Sequence, residues 1–276
     1  MKSQAKTQPS VPAPGAAAPR IDKVNWIGLK TFIHRELQRP FRVPIQTLMT
    51  PWIMALLYIF VFGRVIGSRI EAVGGVSYID FVLPGILMLN VLMAAFSHTS
   101  SSLYFQRFAR HIEEILVAPL SHFEMITGYV LAGVVRASIV GAGVFFIAYF
   151  FSAANLEHLF LALFYILAGS TLFSLIGLLV GLWAKQFEQL AVLGIFVITP
   201  LSYVGGMFNT LDMLPVRLQR ITTFNPFWYF IDGMRYALIG VHESNLWAGA
   251  LLIVFLLVAV GMLVWRLFSI GWRLRD

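Results

Sequence analysis

Two adjacent carboxylates, Glu113-Glu114, are the first place to look for acid–base chemistry in this chain. Neighbouring helix positions point about 100° apart, so the pair does not converge on one substrate atom. The six histidines (34, 98, 111, 122, 158 and 242) form no H-E-x-x-H pair or other ligand cluster. No G-x-S-x-G elbow offers a nucleophile, and the absence of cysteine removes disulfides, thiolate catalysis and cysteine metal sites. A phosphate-binding loop of the form G-x-x-x-x-G-K-S/T is also missing; the nearest glycine spacing, Gly63 to Gly67, runs into Ser68-Arg69. These exclusions leave no expected active site, no metal and no cofactor on this chain. It does not read as an enzyme.

One charged residue stands apart. Arg136 lies 15 residues beyond Ser121, about 22 Å along a helix at 1.5 Å per residue. It interrupts an otherwise apolar run. Two readings stand: a contact for an anionic substrate group beside a pathway, or an arginine snorkelling to the inner leaflet from a helix that protrudes.

The elements that carry these residues follow from composition. Of 276 residues, 59% are hydrophobic and 12% charged, against about 25% charged in an ordinary soluble domain. The expected solvent is a bilayer, whose core of about 30 Å needs about 20 apolar residues per crossing helix. Uncharged runs of that order occupy 43–63, 81–106, 137–156 (back to Met125 if Arg136 is tolerated), 159–184, 189–211 and 244–265. The fold expected is all-α and integral to the membrane, with six spans. A seventh apolar piece, ITTFNPFWYFI from Ile221 to Ile231, is too short to cross and reads as re-entrant or interfacial.

Six spans put both termini on one side. Lysines and arginines crowd the region before the first span, the second-to-third and fourth-to-fifth connections and the segment after the last span. The other side holds Arg64, Arg69, Arg217, Arg220 and Arg235. The termini are therefore expected in the cytoplasm. The net charge of +7 marks orientation rather than nucleic-acid binding. Residues 1–20, a Pro/Ala/Ser stretch without an apolar h-region, read as a disordered cytoplasmic tail rather than a signal peptide.

Three segments outside the spans carry a pattern. Over 21–42, Trp26, Leu29, Ile33 and Leu37 fall near one helix face and Lys23, Lys30, Arg35 and Arg39 decorate the rest, as in an amphipathic helix lying in the bilayer interface. A positive flank with incidental helicity is the plainer alternative. In QRFARHIEEILVAPLS (106–121), Phe108, Ile112, Ile115 and Leu116 share the spacing of one face, Pro119 stops the helix, and Ser121 with Glu124 forms a capping box for the third span. That apolar face either docks a protein partner or packs on the chain's own bundle. In PLSYVGGMF, Pro200 and Gly205-Gly206 are expected to interrupt the fifth helix, ahead of the aromatic segment Phe224–Phe230. This region suits an outer gate, and equally an aromatic interface belt.

The stretches LPGILMLNVLMAAFSHTSSSLYFQR (83–107), HIEEILVAPLSHFEMITGYVLAGVVR (111–136), PLSYVGGMF (200–208) and FNPFWYFIDGMRYALIG (224–240), in this order, resemble the membrane subunit of ABC-2 type transporters. The likeness is to the bacterial branch of the YadH-like and NodJ-like permeases. It covers nearly all of the chain beyond residue 25. The resemblance implies an exporter permease in the bacterial inner membrane, made of an interface helix and a six-helix domain over 43–276. The resemblance also implies a dimer, a homodimer in the simplest case, with two copies of a separate ATPase that binds the Mg-ATP. It further implies a coupling helix over about 105–120, with Arg110, Glu113 and Glu114 as polar contacts beside Phe108, Ile112 and Leu116. An outer hairpin over about 207–240 would bring Gly205, Gly206, Phe224, Asn225, Pro226, Phe227, Trp228, Asp232 and Arg235 to the gate. The small residues Ser170, Ser174, Gly177 and Gly181 on span four, with Gly141 and Gly143 on span three, suit close helix contacts within one subunit or across a dimer. Two other functions fit the composition: a secondary, ion-coupled transporter, for which His98 is the lone relay residue, and an integral-membrane enzyme. The substrate is not legible.

Overall fold

The computed structural model describes residues 25–67, 72–73, 75–117, 120–151 and 156–274. The expected tail over 1–20, residues 21–24 of the interface helix, Pro119, Arg69 and Arg275 lie outside the described residues. Most of the described chain is helical, and its one extended pairing is an isolated bridge between Val73 and Val76. The first helix is α1 (Trp26–Arg42). Among the described residues, six helices are long and apolar enough to span a membrane: α2 (Ile45–Gly63), α3 (Tyr78–Phe108), α5 (His122–Phe151), α6 (Leu159–Trp183), α7 (Gln189–Met207) and α10 (Leu246–Ser269). The short α4 (Ile112–Val117) joins α3 to α5, and α8 (Val216–Thr222) and α9 (Pro226–Ile239) lie between α7 and α10.

The second and third spans run longer than their uncharged stretches. α3 takes in Asp80 in its first turn, and α5 starts at His122 and carries Arg136 within it. A count of uncharged residues stops at each charge, whereas the helical backbone continues through it.

The hub is α3. Of its most apolar window 78% is buried, against 17% for α2 and α10, which turn most of their apolar surface outward. α6, α5 and α9 pack directly on α3. The close approach comes from the small residues. A Cβ on Gly177 would sit 2.6 Å from the Phe96 carbonyl oxygen, and one on Gly181 would sit 2.9 Å from that of Ser100. At the same crossing Thr99 Oγ1 donates to the Ser174 carbonyl at 2.8 Å. Ser174, Gly177 and Gly181 therefore join span four to span two of the same chain, while Ser170 Oγ donates to the Ile166 carbonyl of its own helix. Gly141 and Gly143 likewise face Val91 and the Trp52 ring.

Spans one and five are built alike and unlike the others. In each, a Thr-Pro pair (Thr50-Pro51, Thr199-Pro200) follows a π-helical turn, Ile45–Met49 or Gly194–Ile198, and a second π-helical stretch comes after it. Proline cannot donate to the ladder, and the wider turn is a common accommodation. Both threonine hydroxyls bond the carbonyl five residues back, at 3.1 and 3.0 Å. The helix thus passes through Pro200. The break comes later, at Gly205 (ψ 17°) and Gly206, whose φ of 86° favours glycine.

Candidate functional site: a docking turn at one end and a capped break at the other

At the end holding α1 and α4, the segment read as one helix over 105–120 is divided. α3 runs to Phe108, Arg110 takes a left-handed conformation (φ 58°), and α4 starts at Ile112. The turn redirects the chain, so Phe108 does not share a face with Ile112, Ile115 and Leu116 as its spacing suggests. Ile112 and Ile115 are buried against Phe32, Met125 and Tyr129, and Leu116 packs at the edge of the same cluster. Ile112 is thus an anchor within the chain. Phe108 and Val117 are 74% and 86% exposed, and Arg110, Glu113 and Glu114 are exposed beside them. Glu114 also pairs with His111 at 3.5 Å. The result is a rigidly seated turn that presents two large apolar side chains amid charges of both signs.

Two features hold the turn. Arg107 donates to the carbonyls of Gly181 and Leu182 at 2.7 and 2.8 Å, and Arg273 donates to that of Trp183 at 3.0 Å. These cations cap the free carbonyls that end α6, where the helix dipole favours positive charge. The Ser121–Glu124 capping box is formed as its spacing implies: Glu124 Oε2 accepts from the Ser121 amide at 2.6 Å, and the Glu124 amide donates to Ser121 Oγ at 3.2 Å. Glu124 Oε1 reaches further, accepting from the Asn25 amide at 2.6 Å and so fastening the start of α1 to the start of α5.

α1 turns a different face inward from the one its apolar residues suggest. Leu29, Phe32, Glu36 and Pro40 are buried, whereas Trp26 is 73% exposed. The ring of Phe32 lies over Gly128 and edge-on to Tyr129 at 5.0 Å. The buried Glu36 carboxylate accepts from Ser102 Oγ and from Gln106 Nε2 (2.6 Å), and Tyr129 donates to Gln106 Oε1 at 2.5 Å. This network joins α1, α3 and α5 just above the turn. Burial pulls the nearby Arg39 guanidinium below its usual pKa, with Glu36 opposing the shift. Sequence reading missed the network because a glutamate on a basic helix looks like a solvated face. The polar run His98–Ser102 on an apolar helix was the available signal.

At the opposite end, the break in α7 leaves carbonyls without helical partners, and the α8–α9 segment supplies donors to them. Asn225 Nδ2 donates to the Leu201 carbonyl at 2.6 Å, Thr222 Oγ1 to that of Val204 at 3.4 Å, and Arg235 to that of Gly206 at 2.6 Å. Asn225 also caps α9, accepting from the Phe227 amide at 3.0 Å, with Pro226 in the first turn where no donor is needed. Asp232 and Arg235, 0% and 1% exposed, pair at 3.3 Å. The Asp232 carboxylate also accepts from the Glu243 and Ser244 amides at 3.0 and 2.8 Å, and the Arg235 guanidinium lies 3.9 Å from the Phe81 ring centroid. Phe227 packs against Phe173, and Trp228 is buried beside Gly206. The structure thus gathers Gly205, Gly206, Asn225, Phe227, Trp228, Asp232 and Arg235 into one cap. Phe224 stands outside it, 84% exposed.

Arg136 lies between spans one, two and three. It donates to Ser97 Oγ at 3.3 Å and to the Thr47 carbonyl at 3.2 Å, which Pro51, lacking an N–H, cannot serve in the α-helical register. Among the described residues no carboxylate pairs with it, and its Nε finds no acceptor. His98 is buried on α3.

Residues 28–239 match the ABC-2 type transporter family. The chain is 39% identical over 252 residues to the inner membrane transport permease YadH of Escherichia coli strain K12, covering 91% of this chain and 98% of that one. It is 27% identical over 191 residues to nodulation protein J of Rhizobium leguminosarum bv. viciae (69% and 74% covered). With nodulation protein J of Neorhizobium galegae it shares 26% identity over 218 residues (77% and 83%).

Proposed function

This chain belongs to the ABC-2 type transporter family, and from that premise we propose that it is the membrane-spanning permease subunit of an ATP-driven exporter. It lies in a bacterial inner membrane with both termini in the cytoplasm, forms the substrate pathway with a second copy of itself, and is driven by two copies of a separate ABC ATPase. It is a transport subunit, not an enzyme.

The observation that carries this reading is the seated turn between spans two and three. A lever must be stiff at its base and available at its tip. Ile112 and Ile115 fix the base, while Phe108, Arg110, Glu113, Glu114 and Val117 offer the tip. Acidic side chains on that tip suit a protein groove better than anionic lipid. Within the spans the acidic residues are Asp80 and Glu124. Both oxygens of Glu124 are occupied by backbone amides, which favours this reading over an ion-coupled carrier. At the far end, the α8–α9 hairpin serves as the outer gate: its donors hold the broken end of α7, so the two move together.

The test is capture of the ATPase. In membranes co-expressing the permease with its cognate ABC ATPase, Glu113→Lys with Glu114→Lys should leave permease levels unchanged and remove the ATPase from the affinity-purified complex. Retention of the ATPase at wild-type stoichiometry would overturn the assignment of the tip.

A further inference from the structure

We infer that the groove beside Arg136 is a binding site for the anionic headgroup, phosphate or carboxylate, of an amphiphile that enters from the bilayer. The exporter reading bears only on what becomes of this ligand; binding itself belongs to the permease alone.

Arg136 is eight residues beyond Gly128, the point where Phe32 of α1 rests on α5. That puts it about 12 Å along α5 from the Phe32–Gly128 contact. A guanidinium at that depth is retained where it faces a bundle interior or a wet cavity. Here it faces a groove of about 300 Å³ whose polar lining is Gln46, Thr50, Asn90, Ser97, Arg136 and Thr199. The donors that can meet an anionic oxygen are the guanidinium and the side-chain amides of Gln46 and Asn90, whereas the Thr50 and Thr199 hydroxyls already donate within their own helices. Among the described residues, the only charged group in the lining is Arg136. Its neighbour Arg39 is close enough to add to the positive field rather than cancel it. The site is therefore set for one negative charge, supplied from outside the chain.

The rest of the lining decides what kind of molecule brings that charge. Met54, Tyr58, Leu89 and Met93 form the apolar part of the wall. Thr50 and Met54 are exposed on α2, so the groove opens sideways toward the bilayer. Its volume, at the low end of the ~300–1,000 Å³ of ligand pockets, takes a headgroup and a few methylenes rather than a whole lipid or oligosaccharide. Its walls come in part from spans one and five, the two with matched Thr-Pro pairs and π-helical turns, and Tyr58 meets Tyr203 across them at 3.3 Å. A π-helical turn is a place where a membrane helix can change register, so an occupant here touches the two spans best able to respond.

The experiment is equilibrium binding of radiolabelled dodecyl phosphate to the purified permease in phosphatidylcholine nanodiscs. The expected result is saturable binding that Arg136→Lys preserves and that Arg136→Gln weakens by about tenfold or more. Thr50→Trp, at the exposed mouth and without contact to Arg136, should weaken binding similarly while still capturing the ATPase. Dodecyltrimethylammonium should fail to compete. Phosphatidylglycerol in the disc competing as well as free dodecyl phosphate would support the site and assign resident lipid as its source; failure to compete would assign a single-chain amphiphile. Equal binding by wild type and Arg136→Gln, or equal competition by the cationic detergent, would overturn the proposal. Loss of ATPase capture in the wild type would instead count against the exporter reading and leave this binding untouched.

Discussion

Arg235→Leu should abolish accumulation of folded permease. The substitution removes the donor to the Gly206 carbonyl and strands Asp232, which is fully buried. Breaking a buried ion pair from one side costs about 3–5 kcal/mol, a large part of the roughly 5–15 kcal/mol that holds a typical domain together. The lost bond to Gly206 adds to this, because no water replaces it at a broken helix inside the protein. Asp232→Asn should be milder, since an amide oxygen still accepts from one of the Glu243 and Ser244 amides. The double replacement Asp232→Leu with Arg235→Leu should destabilise by less than the sum of the single changes. Monodisperse yield in detergent, with a thermal melt, reads these three and Asp232→Leu alone. A normal melt for Arg235→Leu would show that this pair does not hold the cap.

Gly177→Leu should be nearly as damaging, for a packing reason. Two of the nearest atoms to an added Cβ are backbone, the Phe96 oxygen at 2.6 Å and the Ser100 nitrogen at 3.1 Å, so no rotamer change relieves the clash. Overpacking costs about 1–3 kcal/mol where side chains can yield, and more where they cannot. α6 must lift from α3, losing the Thr99 bond to Ser174. Gly261→Leu on α10 is the control. A Cβ there meets Leu175 at 3.8 Å, an ordinary contact, and its melt should match wild type. Equal melts for the two variants would mean that the α3–α6 crossing is looser than drawn here.

What the sequence revealed depended on the range of the interactions. The spans were legible because each is a local property of about 20 residues, and the capping box at Ser121 because its partners are three apart. The glycine break after Pro200 was legible for the same reason. The face of the docking segment was not. The periodicity from Phe108 to Leu116 assumes an unbroken helix, and a left-handed arginine at 110 carries no strong local signature. Glu36 escaped because its partners lie 66 and 70 residues away, on another helix. Asp232 and Arg235 were placed at this end only by the family resemblance. Their task, closing the ladder that α7 leaves open, became visible only with Gly206 beside them.

The proposal that this chain has no motor and is moved from its docking turn is tested most directly at the hairpin. Cysteine is absent, so Phe224→Cys, at a site 84% exposed, gives a single labelling position without further changes. A spin label there is followed in proteoliposomes holding permease and ATPase, with and without hydrolysable Mg-ATP. Its mobility should change with ATP only when the ATPase is present and Glu113 and Glu114 are intact. The same change with the permease alone, or with Glu113→Lys and Glu114→Lys in place, would show that force reaches the hairpin by another route.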